Sequence, residues 1–151
     1  MAESIKVTGA IEITLIGPNG EVKDTRKIKN IVTSTGKASM AAWLASPTQT
    51  LPFMQYIALG TGQTPVATTD VALQSELTVP GYSRSQGALS SAASSWTNLA
   101  TFAPGNGTAF ITEAGILSTA TSGILLAHQV FTVINKTALD TLSIKWTISF
   151  S

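Results

Sequence analysis

Hydrophobic residues recur at every second position at both ends of the chain. Near the start, Ile5, Val7, Ile11, Ile13 and Leu15 point one way and Lys6, Thr8, Glu12 and Thr14 the other. At the end, Leu142, Ile144, Trp146, Ile148 and Phe150 alternate with Thr141, Ser143, Lys145, Thr147 and Ser149. A period of two is that of a strand with one buried and one wet face. Gly9-Ala10 interrupts the first run and marks a bulge or a close crossing. Glu21–Val32, Tyr82–Ala88, Ser94–Ala103, Thr108–Leu117 and Ile124–Ile134 read as further strands. Turn signals separate them: Pro18-Asn19-Gly20, Val79-Pro80-Gly81, Pro104-Gly105-Asn106-Gly107 and Thr121-Ser122-Gly123. Asn-Gly is a strong hairpin signal because both residues tolerate positive φ. The small, polar stretch Ser90–Ser95 reads as an exposed loop.

Two stretches leave the period of two. In Asn30–Pro47, Ser34 or Thr35 can cap a helix, and Met40, Trp43 and Leu44 fall at i, i+3 and i+4 among alanines. The spacing predicts an amphipathic helix of about three turns that ends at Pro47. Its Trp and Met are expected to anchor it on a sheet, full burial of such a side chain contributing about 2–3 kcal/mol. In Tyr56–Leu77, the strand Tyr56-Ile57-Ala58-Leu59 stops at Gly60-Thr61-Gly62, and Pro65 stiffens the loop. Asp70 can then cap a short helix with Leu73 and Leu77 on one face. Met40, Trp43, Leu44, Tyr56 and Trp146 are the predicted core anchors. About eight strands with two short helical insertions make an all-β chain, a β-sandwich or barrel. No linker is long enough to divide it, so 1–151 reads as a single domain.

Composition narrows the setting. At 151 residues the chain can bury a sizeable core without staples, roughly 70% of its unfolded surface. It has no Cys, which excludes disulfides and thiolate metal sites. Only 11% of residues are charged and the net charge is +1. A free soluble monomer normally carries about twice that share, so much of the surface is expected to meet partners. No stretch reaches the ~18 consecutive apolar residues of a membrane span. The start, MAESIKVTG, lacks the apolar core of a secretory signal, so folding in the cytoplasm is expected.

Candidate chemistry is thin. The single histidine, His128, lies in a predicted strand on the face opposite Leu125, Ala127 and Phe131, and reads as a surface or interface residue. One His and no Cys do not build a zinc site, so no metal and no cofactor is expected. A Ser/His128/Asp70 or Asp140 triad has no G-x-S-x-G elbow behind it. Asp70, Glu76, Glu113 and Asp140 are the carboxylates from which a glycosidase pair would be drawn. Glu113 stands inside an apolar strand, where it faces solvent or pairs with a base such as Lys145. Gly60-Thr61-Gly62 is followed by no Lys, which excludes a phosphate-binding loop. No catalytic residue and no small-molecule ligand is expected. Lys23, Arg26, Lys27, Lys29 and Lys37 hold five of the nine basic residues. That run has no interleaved aromatics for nucleic acid. Lys23, Arg26, Lys27 and Lys29 form either a solvated hairpin face or a docking patch for an acidic protein surface.

The order of the parts carries more. The run YIALGTGQTPVATTDVALQSEL at Tyr56–Leu77, ITEAGI at Ile111–Ile116 and DTLSIKWTISF at Asp140–Phe150 resemble small structural proteins of tailed bacteriophages. The resemblance implies a virion protein with no enzymatic activity. In the head it would be a capsid cement or decoration protein with a jelly-roll-like sandwich, partnered by the major capsid protein and by itself as a dimer or trimer. In the tail it would be a fibre, collar or adaptor component. Met1–Ser4, Ser46–Pro52 and Ser90–Ser95 are candidate contact elements. Trp96 is the residue a host-glycan-binding module would use for sugar stacking.

Overall fold

The computed structural model describes residues 3–48 and 53–151. Nine antiparallel strands and one helix are found among them. The strands are β1 (Val7–Ile16), β2 (Val22–Val32), β3 (Tyr56–Gly60), β4 (Ser85–Gln86), β5 (Ala88–Ala92), β6 (Ser95–Phe102), β7 (Ala109–Leu117), β8 (Leu125–Lys136) and β9 (Thr141–Phe150). The helix α1 spans Ser34–Ala45. The strands form one row, β4-β3-β7-β8-β2-β1-β9-β6-β5. Its two ends lie on one continuous stretch of chain. β4 pairs with β3, the Gly87 N–H donates to Gln55 O at 2.7 Å, and β5 then pairs with β6. The sheet is therefore nearly closed and barrel-like.

Side-chain period explains the interior. Ile11, Ile13 and Leu15 from β1 and Leu142, Ile144, Trp146 and Ile148 from β9 all point inward and are buried. Their strands pair over ten positions, Val7 with Phe150 through Ile16 with Thr141. The Trp146 indole N–H is satisfied by Asn30 Oδ1 at 2.8 Å. The β1–β2 hairpin turns at Pro18-Asn19-Gly20, with Gly20 at φ 80°. Register is unbroken through Gly9-Ala10, and the irregularity of this hairpin lies at Leu15/Ile16. β2 meets β8 through only two register pairs, Ile31 with His128 and Val32 with Ala127. Beyond them the Arg26 guanidinium spans the gap and donates to the carbonyls of Thr132 and Val133.

Several expectations are corrected. The helix is capped by Thr33, whose hydroxyl accepts from the Gly36 N–H at 2.9 Å, and not by Ser34 or Thr35. Gly36 is its buried residue, so close to β8 that a Cβ there would lie 2.7 Å from Leu126 O. Trp43 and Leu44 are not core anchors: they are 36% and 79% exposed, and Met40 is half-buried against the core. Alanines on every side leave the helix without one apolar stripe, so it seats by Gly36 in its first turn and by Met40 in its second. Tyr56 is half-buried, whereas Trp146 is fully enclosed. No second helix follows Asp70, because the N–H groups of Gln74 and Ser75 donate to the Glu113 carboxylate. Ser90–Ser95 is not a loop but the arms and tip of the β5–β6 hairpin, with Ala93 at φ 49°. Only Ser85–Gln86 of the expected strand Tyr82–Ala88 pairs as β4, since Tyr82 turns inward and donates its hydroxyl to Gly107 O.

Candidate functional site

Glu113 on β7 and His128 on β8 are neighbours across a strand pair in which Gly115 stands opposite His128. The pairing is irregular between Ile111 and Glu113. A strand pair has two faces, and around Glu113 and His128 neither is wet. One faces the barrel core. The other is covered by the chain running from Thr61 to Tyr82, whose Leu73 packs with Ala58, Leu117 and Leu125. The solvent positions expected for His128 and Glu113 are thereby overturned, as both are fully buried. Lys145, the base suggested for Glu113, is instead exposed on β9 opposite Glu12.

Both oxygens of Glu113 are fully used. Oε1 accepts from the backbone N–H of Gly62 at 3.0 Å and of Ser75 at 2.7 Å. Oε2 accepts from the N–H of Gln74 at 3.0 Å and lies 2.8 Å from His128 Nε2. The other ring nitrogen of His128, Nδ1, lies 2.8 Å from Asp70 Oδ2, which also accepts from the Ala67 N–H. Thr112 ties the same loop down by donating to Gly62 O at 2.7 Å. The glycines serve closeness: a Cβ on Gly60 would lie 2.6 Å from Ser75 O, and one on Gly62 the same distance from Glu113 Oε1. Asp70, expected to cap a helix, instead holds a turn and the imidazole.

Two carboxylates facing one ring fix its charge. Burial pushes the His128 imidazole towards neutrality, but hydrogen bonds and charge from Glu113 and Asp70 outweigh it and raise its pKa. Burial likewise pushes Glu113 up, and the bonds from His128, Gln74, Ser75 and Gly62 more than reverse it, so its pKa is lowered. Each ring nitrogen has a carboxylate oxygen 2.8 Å away, an arrangement that favours the imidazolium. In that form His128 offers no lone pair to a hydroxyl or a metal ion. Among the described residues no cluster of His, Asp or Glu is placed to hold a metal.

The remaining carboxylates are also engaged. Glu76 pairs with Arg84 at 2.6 Å, and Arg84 donates onward to Thr119 O and Ser122 O. Asp140 is buried, pairs with Lys23 at 3.0 Å and accepts from the Thr137 N–H and hydroxyl. Burial pushes Asp140 up, and the bonds from Thr137 and Lys23 hold it below its ordinary value. Beside it the buried Lys136 donates to Ala103 O and lies 5.3 Å from the centre of the Tyr82 ring. Burial lowers the Lys136 pKa against the opposing charge of Asp140.

The four basic residues of the hairpin are engaged differently. Lys23 serves Asp140, and Arg26 serves Asp24 and the β8 carbonyls. Lys27 and Lys29 are exposed, Lys27 opposite Glu12. Elsewhere an apolar groove of about 730 Å³ opens between α1 and the β5–β6 hairpin, walled by Met40, Trp43, Leu44, Phe53, Met54, Leu89, Trp96 and Phe150. Trp96 is half-buried in this wall. Of the candidate contact elements, residues 1–2 and 49–52 lie outside the described residues.

The sequence suggested His128 with Asp70 only within a catalytic triad and Asp70 with Glu113 only among candidate carboxylates, and it missed that the three meet in one cluster. The available signal was a charged residue unexplained in an apolar strand together with the chain's only histidine. No family model and no curated protein matches the chain.

Proposed function

We propose that this chain is a non-catalytic structural protein of a tailed-bacteriophage virion, a capsid cement or decoration subunit. It binds the outside of the shell and bridges neighbouring capsomers. One observation supports this reading above the others. Two of the three stretches that resemble such proteins, Tyr56–Leu77 and Ile111–Ile116, meet at the Asp70–His128–Glu113 cluster, where His128 of β8 joins them. Their polar groups are spent on holding a loop to a sheet, which yields rigidity and leaves no group free for turnover.

A cement subunit needs a stiff scaffold and many modest contacts that add up by multivalency. The nearly closed sheet supplies the first, and the sparse surface charge suits the second. The partners are then the major capsid protein and further copies of the chain, and the site of action is the virion surface after assembly in the host cytoplasm. A jelly-roll-like sandwich belongs to the same proposal. Its support is that the row divides at the short β2–β8 pairing into two halves, β5-β6-β9-β1-β2 and β8-β7-β3-β4. The alternative, a tail fibre, collar or adaptor subunit, uses the same scaffold at low copy number.

The test is deletion. Particles made without the protein should lose resistance to heat and osmotic shock, and purified chain added back should restore it. Particles that keep full resistance would rule out the cement role.

A further inference from the structure

We propose that β5 is a homotypic docking edge: β5 of one copy pairs antiparallel with β5 of a second copy, and the pair covers the apolar groove beside it. β5 ends the strand row and, among the described residues, is hydrogen-bonded to β6 alone. All five of its residues are exposed. An open edge is a template for pairing with another chain, and proteins normally blunt it with Lys, Pro, a bulge or extreme shortness. The opposite end of the row uses shortness, β4 having only two residues. β5 uses none of these devices. It holds no Lys and no Pro, its register with β6 is unbroken, and no charged residue occurs between Arg84 and Glu113.

The groove alongside makes the edge more than a bare backbone. Leu89 of β5 is 44% exposed, and Leu44 and Phe53 across the groove are exposed further. Among the described residues no wall residue is charged. This selects the occupant. A two-fold contact sets each patch against itself, so a charged patch repels its own copy while an uncharged one does not. Antiparallel pairing centred on Ser90 places Leu89 opposite Ser91 and Ala88 opposite Ala92 of the second copy, with no clash of charge and no missing N–H. An acidic or basic docking segment would find nothing to pair with. The inference depends on the virion reading only for its biological setting.

The experiment is sedimentation equilibrium of the purified full chain over a range of concentrations. A reversible monomer–dimer equilibrium is expected. Leu89→Lys should weaken it by roughly a hundredfold or more, since each copy would bury an unpaired ammonium. Leu44→Asp, on the groove's outer wall, should weaken it as well. Both side chains are exposed in the single chain, so circular dichroism, and the melting temperature at concentrations where the wild type is monomeric, should stay at wild-type values. A wild type that is monomeric at every concentration overturns the proposal, as does a dimer that both variants leave intact. A monomer whose Leu89→Lys variant fails to join particles would assign the groove to the shell protein and overturn it too. A dimer that is absent from purified particles would leave the docking edge standing and remove the virion reading instead.

Discussion

At His128 a desolvated ring would favour neutrality, and two carboxylates at 2.8 Å favour charge. The carboxylates win, so stability depends on pH from two sides. A histidine whose folded pKa is raised stabilises fully below its ordinary value, about 6.5, and loses that contribution as pH climbs through the folded value. A glutamate whose folded pKa is lowered stabilises fully above about 4.3 and loses it as pH falls through the folded value. Their sum is complete only between those two ordinary values. Wild-type stability should therefore fall on both the acid and alkaline sides. His128→Gln leaves Glu113 buried without its cation and should cost about 3–5 kcal/mol in urea unfolding. Relative to wild type, it should also lose the alkaline decline. An equal alkaline slope in both proteins would contradict the charged imidazole. The exposed-side pair Arg26–Asp24 belongs to a weaker class, worth about 0–1 kcal/mol.

At the scale of elements, burial separates two tryptophans that the sequence makes look alike. Trp146 is fully enclosed on β9, while Trp43 lines an open groove on α1. Trp146→Ala should cost about 3–5 kcal/mol, and Trp43→Ser, at a residue 36% exposed, should cost clearly less. Equal losses in denaturant unfolding would show that α1 packs more deeply than described. The same contrast explains what could be read in advance. β1 and β9 were legible because each has one wet face, which preserves alternation. β7 was legible as a strand, but from Ile111 to Leu117 every residue is buried, so no period assigns Glu113 to a face. The cover over β7 and β8 is irregular chain held by side-chain-to-backbone bonds from Glu113, and such bonds leave no periodic trace. Asp70 and Leu73 fit a helix start by spacing, yet the carboxylate took the N–H groups that a helix would have used. The cap at Thr33 was missed by one residue, and the hairpin tip at Ala93 carries no Gly or Asn to announce it.

Over the whole molecule, several of the chain's few charges are spent inward, while others such as Lys27, Lys29 and Lys145 stay exposed. Asp140 with Lys23, Glu76 with Arg84 and the His128 cluster fasten loops to the sheet. What remains outside is mostly small, polar or apolar, with an open strand edge and an apolar groove on one side. That division suits a rigid subunit whose surface is covered by partners, and it is what supports the proposed shell role. For the proposed cement role, purified virus particles offer the most direct measurement. Quantitative mass spectrometry should give the chain's copy number against the major capsid protein. A ratio near one, or a simple icosahedral fraction of it, is the predicted result. A handful of copies per particle, or none, would contradict a cement protein.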